Sequence, residues 1–118
     1  MGIWDDYAAD YKLEETNINN GTTTVDSFAD TSAYGVVWRF VIDQGPGTNM
    51  RVGMVHAVWD SVSASTPEII PEISSSDIGD TSGVSFTVDK SATTVRLRMT
   101  VTSNDWAFYG IRTLIGEA

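Results

Sequence analysis

The chain contains no cysteine and only one histidine among its 118 residues. The absence of cysteine excludes disulfides, zinc–thiolate sites, iron–sulfur clusters and thiol nucleophiles. A zinc centre would need two or three further nitrogen or sulfur ligands, which a single histidine does not supply. We therefore expect no metal and no cofactor. The absence of cysteine does not indicate whether the compartment is oxidising or reducing, because a chain without thiols folds in the same way in both.

Long apolar runs and an excess of cationic residues are also missing. No run approaches the roughly 20 residues that a membrane-spanning helix needs, and we expect no signal peptide. The chain carries 16 acidic residues against 7 Lys and Arg, for a net charge of −9. Because nucleic-acid binding depends on cationic contacts to phosphate, this balance argues against it. We predict neither a nucleic-acid partner nor a membrane partner.

Short β-type patterns make up most of the sequence. Apolar and polar residues alternate most clearly over residues 84–89 and 95–102, where the apolar set would face a core. Residues 34–43 are apolar on both faces, which indicates a central strand covered on both sides, or on one side by a neighbouring subunit. Further strands are predicted at residues 11–16, 22–28, 50–59, 66–73 and 106–115.

The fold class predicted from these patterns is all-β. Pro67 and Pro71 restrict residues 66–73 to an edge strand or an extended loop, because each proline lacks a ladder donor. Gly110 is predicted to form a bulge or kink in the last strand. No stretch shows a helical period. We predict a single antiparallel β-sandwich, jelly-roll or immunoglobulin-like, of about seven to eight strands over residues 11–118.

Residues 1–10 are predicted to form an acidic and aromatic N-terminal arm outside the sandwich. Tyr7 follows Ile3 by four residues and Trp4 by three, a spacing that fits one amphipathic turn or an extended arm. Such anchors suit contact with a neighbouring subunit as well as packing back on the same domain.

Two arginines of residues 95–102 point away from the predicted core. Arg96 and Arg98 are expected to face solvent or to pair with the acidic arm of a neighbouring copy, because complementary charges can align subunits. The residues predicted to contact a subunit or partner are Ile3, Trp4, Tyr7, Arg96 and Arg98.

The single histidine lies in the middle of a predicted strand. A general base needs an orienting partner, and catalytic groups more often lie at strand ends and in loops. His56 is therefore expected to be a half-buried strand residue that is hydrogen-bonded to a neighbour. Asp77 and Asp80 lack the spacing of a calcium loop, which favours solvated turn acids. We predict no catalytic residue, no metal ligand and no enzymatic activity.

Three aromatic residues support an alternative function. Trp59, Trp106 and Tyr109 are candidates for a sugar-stacking surface. Large aromatic side chains also dominate protein cores and subunit contacts, so the same residues fit burial. The two possibilities differ in whether the rings are exposed and coplanar.

Several short segments, in a fixed order along the chain, carry a resemblance to a known family. They are Thr22–Phe28, Tyr34–Ile42, Val55–His56, Glu72, Gly83–Val88, Val95–Leu97 and Tyr109–Ile115. Residues 22–115 thereby resemble a β domain, often repeated, in structural proteins of tailed bacteriophages, especially phages of marine bacteria. The mid-strand His and the closing Arg-Thr recur in that family. This chain differs at Val52–Gly53, where the family tends to place a polar residue or Glu.

The resemblance implies a non-enzymatic role in virion architecture, in which His56 is structural. A chain that begins with Met and holds one domain is expected to be a head decoration (cement) protein or a small head or tail appendage, rather than part of a long fibre. The expected location is the virion. The expected partners are other capsid, neck or tail proteins and further copies of the chain, with a trimer favoured. The alternative is a carbohydrate-binding module used for host-surface adhesion.

Deleting residues 1–10 is expected to leave the β-sandwich folded and to weaken assembly, because the arm lies outside the predicted core. Circular dichroism reports the fold, and light scattering behind a sizing column reports the assembly state. Loss of the folded signal would instead show that the arm is part of the core.

Overall fold

Two antiparallel sheets form the computed structural model, which describes residues 10–45, 47–59, 68–70 and 76–116. Sheet A has the strand order β1-β9-β3-β4, and β5 and β6 pair with two different stretches of β4. Sheet B has the order β2-β8-β7. The nine strands within the described ranges are β1 (Asp10–Ile18), β2 (Gly21–Ala29), β3 (Gly35–Gln44), β4 (Asn49–Val58), β5 (Glu68–Ile70), β6 (Ser76–Ile78), β7 (Val84–Ser91), β8 (Thr94–Val101) and β9 (Trp106–Ile115).

The predicted β-sandwich is confirmed, and one strand was not predicted. The short strand β6 has no alternating pattern, and its three residues are all exposed. Strand β5 lies between the two prolines of its segment and pairs only with β4 among the described strands. It is therefore an edge strand, as the missing proline donors predicted.

Strand β8 supplies the central row of sheet B. Its alternating pattern places four apolar side chains in the core, and these are Val95, Leu97, Met99 and Val101. Arg96 and Arg98 point to the opposite face, as predicted from the period-2 pattern.

Strand β3 is the centre of sheet A, paired over ten residues with β4 on one side and with β9 on the other. Its even-numbered residues face sheet B, and the buried ones are Val36, Trp38, Phe40 and Ile42. Val37, Arg39 and Val41 lie on the other face, where the two valines are half-buried and the arginine is exposed. The central position predicted for this strand is confirmed.

Gly110 does not form the predicted bulge. The pairing of β9 with both β3 and β1 runs through this residue without a shift in register. A Cβ atom at this position would lie 2.8 Å from Cε1 of Phe108. The glycine therefore leaves room for the Phe108 ring, and the strand stays regular.

A bulge occurs instead in β2. The register shifts between Thr24, which pairs with Arg98, and Asp26, which pairs with Leu97, so Val25 is the extra residue. A bulge reverses the faces of the residues that follow it. As a result Val25 and Asp26 are both buried, although they are adjacent in the sequence.

The buried Asp26 carboxylate connects sheet B to two strands of sheet A. Its Oδ2 accepts a hydrogen bond of 2.8 Å from Nε1 of Trp38 on β3. Its Oδ1 lies 3.0 Å from Nη1 of Arg112 on β9. The Arg112 guanidinium also lies over the ring of Tyr11, 4.5 Å from its centroid, and near the ring of Phe28. Cation–π contacts of this kind add to the ion pair.

A second buried arginine ties the two sheets at one end of the sandwich. Arg51 lies on the inner face of β4 and is 9% exposed. It donates hydrogen bonds to the carbonyl and hydroxyl oxygens of Thr81, at 2.8 and 3.1 Å, and it lies 3.2 Å from Asp77. The turn that leads into β7 is thereby attached to sheet A.

Replacing Asp26 with Ala is expected to lower the free energy of unfolding by about 3–5 kcal/mol. The change leaves the Arg112 guanidinium and the Trp38 indole N–H inside the protein without their acceptor. Urea unfolding followed by tryptophan fluorescence measures the loss. The control is Asp89→Ala, which breaks a surface ion pair and should cost about 1 kcal/mol or less. Equal losses in the two variants would contradict the importance of the buried pair.

Candidate functional site

The outer face of sheet B is polar. All three of its strands contribute exposed or half-exposed hydroxyl residues, which include Thr22, Thr24, Ser27, Ser85, Thr87 and Thr100. The hydroxyl groups of Thr22 and Thr100 lie 2.8 Å apart across the β2–β8 pair. A sheet that covers a core on one side and meets water on the other has this composition.

The outer face of sheet A is apolar over its central strands. Strand register places nine neighbouring side chains around Arg39 on this surface, here called the apolar face, and they are Val37, Val41, Val52, Met54, His56, Val58, Tyr109, Ile111 and Ile115. Val52 and Tyr109 are each 43% exposed, and Val58 is 53% exposed. Contiguous exposed apolar surface of this kind marks sites of interaction with other molecules.

Two open hollows lie on the apolar face. The larger has a volume of about 670 Å³, and its lining includes Val41, Val52, Tyr109, Ile111, the edge-strand residues Lys12 and Glu14, and Arg39 of the central strand. The smaller has a volume of about 360 Å³, and its lining includes Tyr34, Val37, His56, Val58 and Ile115. Aliphatic and aromatic side chains provide most of both surfaces, and three charged side chains contribute to the lining of the larger one.

His56 lies in the smaller hollow, between Val37 on β3 and Ile70 on β5. It is a half-buried strand residue, as predicted. Its Nε2 atom is buried and makes no hydrogen bond with any described residue, so the expected bond to a neighbour is not found there. Among the described residues, no acid or hydroxyl group is hydrogen-bonded to the His56 imidazole to orient it as a base.

The three aromatic residues of the proposed sugar surface do not meet. Trp106 is 2% exposed and donates from Nε1 to Oγ of Ser103 at 3.1 Å. Trp59 is half-buried against the core and donates to the backbone oxygen of Asp30 at 2.7 Å. Trp59 follows the end of β4 that pairs with the start of β3, whereas Trp106 pairs with the last residue of β3. Tyr109 alone of the three lies on the apolar face.

Burial explains why the two indoles leave the surface. Trp106 has the parity of the inward side chains of β9, and Trp59 packs its ring 5.4 Å from the ring of Phe28. Each indole N–H finds an acceptor inside the chain, as buried tryptophans usually do. A coplanar stacking platform is therefore not formed.

Arg96 lies on the polar face of sheet B and is already paired within the chain. Its Nε and Nη2 atoms each lie 2.7 Å from a carboxylate oxygen of Asp89. This hydrogen bonding holds the pKa of Asp89 below its ordinary value and raises the pKa of Arg96. Arg98 occupies the next outward position of the same strand.

The remaining predicted contact residues, Ile3, Trp4 and Tyr7, lie outside the described residues. Within the described ranges no group of three or more His, Asp or Glu side chains is arranged to hold a metal ion. The same part of the chain contains no helix long and apolar enough to cross a membrane.

Buried ion pairs were missed by the sequence reasoning. Besides Asp26 and Arg112, the side chains of Asp30 and Lys90 form a buried pair at 2.8 Å. The available signal for a buried ion pair was a single acid within an otherwise apolar and hydroxyl-rich strand, or a single arginine within an apolar strand. That signal does not identify the partner, because the paired residues lie far apart in the sequence.

Comparison with known proteins gives a fold likeness. No family model matches the chain, and no curated protein matches it. Among solved structures the chain is similar to the tailspike protein of Acinetobacter baumannii phage AM24, with a TM-score of 0.53 and 8% identity over 100% of this chain. The chain spans 28% of the length of that tailspike chain. At this identity the likeness shows the fold, a β-rich domain shared with part of the tailspike chain.

Changing Asp89 to Asn is expected to lower stability near neutral pH by about 1 kcal/mol or less, because the pair is at the surface. Since the folded state depresses the pKa of Asp89 below 3.8, its stabilisation is present above that pH and is lost as the pH falls through the folded value. Melting temperatures of both proteins between pH 7 and pH 2.5 should therefore converge in acid. A constant difference across this range would contradict the role assigned to the ion pair.

Proposed function

We propose that this chain is a non-enzymatic structural protein of a tailed-bacteriophage virion that acts through protein–protein contacts. The fold likeness to part of a phage tailspike chain and the resemblance of residues 22–115 to phage structural domains both support this proposal. Within that class the proposal is a head decoration protein or a small head or tail appendage.

The apolar face of sheet A is the observation that carries the proposal. Sheet B, in the same molecule, follows the usual pattern of apolar residues inside and polar residues outside. Sheet A departs from it on three neighbouring strands, where Val41, Val52 and Tyr109 occupy outward positions. Covering such a surface with a protein partner removes apolar area from water, at about 25 cal/mol per Å².

The composition of the face fits a protein contact better than a glycan site. Glycan platforms need neighbouring exposed rings that a sugar can stack on, whereas the rings of Tyr109 and Tyr34 line two different hollows of this face. Most of the other side chains on this surface are aliphatic, as in the core of protein interfaces, and Lys12 and Glu14 lie on its edge strand. The net charge of −9 also keeps a protein of high copy number soluble before assembly.

Binding to phage particles assembled without this protein tests the proposal. We expect the labelled chain to bind such particles at saturable sites. Val52→Glu and Val58→Glu, which place a charge on the apolar face, should weaken binding at least tenfold while melting temperatures change little. Both residues are exposed on β4, so the fold does not depend on them.

Thr87→Glu is the matched control, because it places the same charge on an exposed position of the polar face. It should bind as the unchanged chain does. The proposal fails if the chain does not bind the particles, or if all three variants bind equally. Saturable binding to host glycans that is lost in Tyr109→Ala would instead support adhesion.

A further inference from the structure

Strand β1 forms an edge of sheet A. It pairs with β9 from Asp10 to Glu15, and no described strand pairs with its other side. Six of the seven residues from Asp10 to Thr16 are exposed. An edge strand presents backbone N–H and C=O groups on which another strand can pair.

The outward side chains of this edge alternate in charge. Asp10, Lys12 and Glu14 share the face of sheet A that carries the apolar face. Asp10 is already engaged, because it accepts a hydrogen bond from Thr113 and lies 3.6 Å from Arg39. Lys12 and Glu14 make no ion pair or hydrogen bond with any described residue. One free cation and one free anion therefore flank Leu13 on the open edge.

We propose that β1 pairs antiparallel with β1 of a second copy, about a two-fold axis that passes through Leu13. In this register Lys12 lies opposite Glu14 of the partner subunit, and Glu14 lies opposite the partner's Lys12. Directly opposed side chains on one face have Cβ atoms about 4.5–5.5 Å apart, within reach of an ion pair. Two-fold symmetry forms the pair twice, as in any isologous contact.

Charge selects this register over its neighbours. An axis through Lys12 would place the two lysines opposite each other and set Asp10 against the partner's Glu14. An axis through Glu14 would place two glutamates together. An axis through Tyr11 would pair Lys12 with the partner's Asp10, whose carboxylate is already held by Arg39 and Thr113. Like charges directly opposite destabilise a strand pair.

The pairing joins two six-stranded sheets into one continuous sheet with both apolar faces on the same side. It produces a dimer, or a higher even-numbered assembly, rather than a trimer. The inference depends on the open edge of β1 and on its charges, and it holds whether or not the proposed virion function is correct.

Charge exchange at the edge tests the dimer. Light scattering behind a sizing column and native mass spectrometry of the full chain should give twice the 12.8 kDa of one copy. Lys12→Glu and Glu14→Lys each replace two opposite-charge contacts with two like-charge contacts. Each should raise the dimer dissociation constant at least about tenfold. Both positions are exposed, so circular dichroism and melting temperature should be unchanged.

The double variant Lys12→Glu plus Glu14→Lys should restore the dimer, because the exchanged charges again face each other. An equimolar mixture of the two single variants should form a mixed dimer, since one then carries only acids at these positions and the other only lysines. Thr87→Lys, on the far sheet, should dimerise as the unchanged chain does. A monomeric unchanged chain at about 1 mM, single variants that dimerise normally, or a double variant that stays monomeric would each overturn the proposal.

Discussion

The Asp26 carboxylate, held between the two sheets, is the contact on which the arrangement of this sandwich depends. It binds Trp38 on the central strand and Arg112 on β9, and both residues must face inward for these contacts to form. Because side chains alternate along a strand, this inward set assigns the intervening residues to the outer face. The Arg112 guanidinium also covers the ring of Tyr11, so the edge strand β1 is joined to the same cluster.

The two outer faces follow from that assignment, and they differ in chemistry. The outer residues of sheet B are mainly Thr, Ser and Arg, whereas those on the central strands of sheet A are mainly aliphatic and aromatic. The outer face of sheet B is therefore suited to contact with water. The outer face of sheet A buries its apolar area only when a second molecule covers it. The open edge of β1 borders the apolar face, so contacts between copies at the edge would enlarge the docking surface without covering it. The edge proposed for dimer contact and the face proposed for docking therefore adjoin on one sheet, where Lys12 and Glu14 line both.

Much of the fold was predictable because strand patterns are local. The alternation in residues 84–89 and 95–102 correctly located two strands of sheet B, and residues 34–43 correctly indicated a central strand. The bulge at Val25 was not predictable, because one extra residue in a strand leaves no mark in composition. Gly110 was predicted to form a bulge or kink, but a glycine within a strand is equally compatible with close packing of a neighbouring side chain. Only the position of the Phe108 ring decides between the two.

The sequence by itself determined the all-β class, the approximate strands, the exclusion of cysteine chemistry and the outward direction of Arg96 and Arg98. These properties depend on residue type and on a two-residue period. Tertiary structure alone decided that Trp59 and Trp106 face away from a common surface, and that the apolar outer side of β3 continues across β4 and β9. It also decided the pairing of Asp26 with Arg112, which lie 86 residues apart. Such contacts depend on which strands become neighbours in space, and neither composition nor periodicity contains that information.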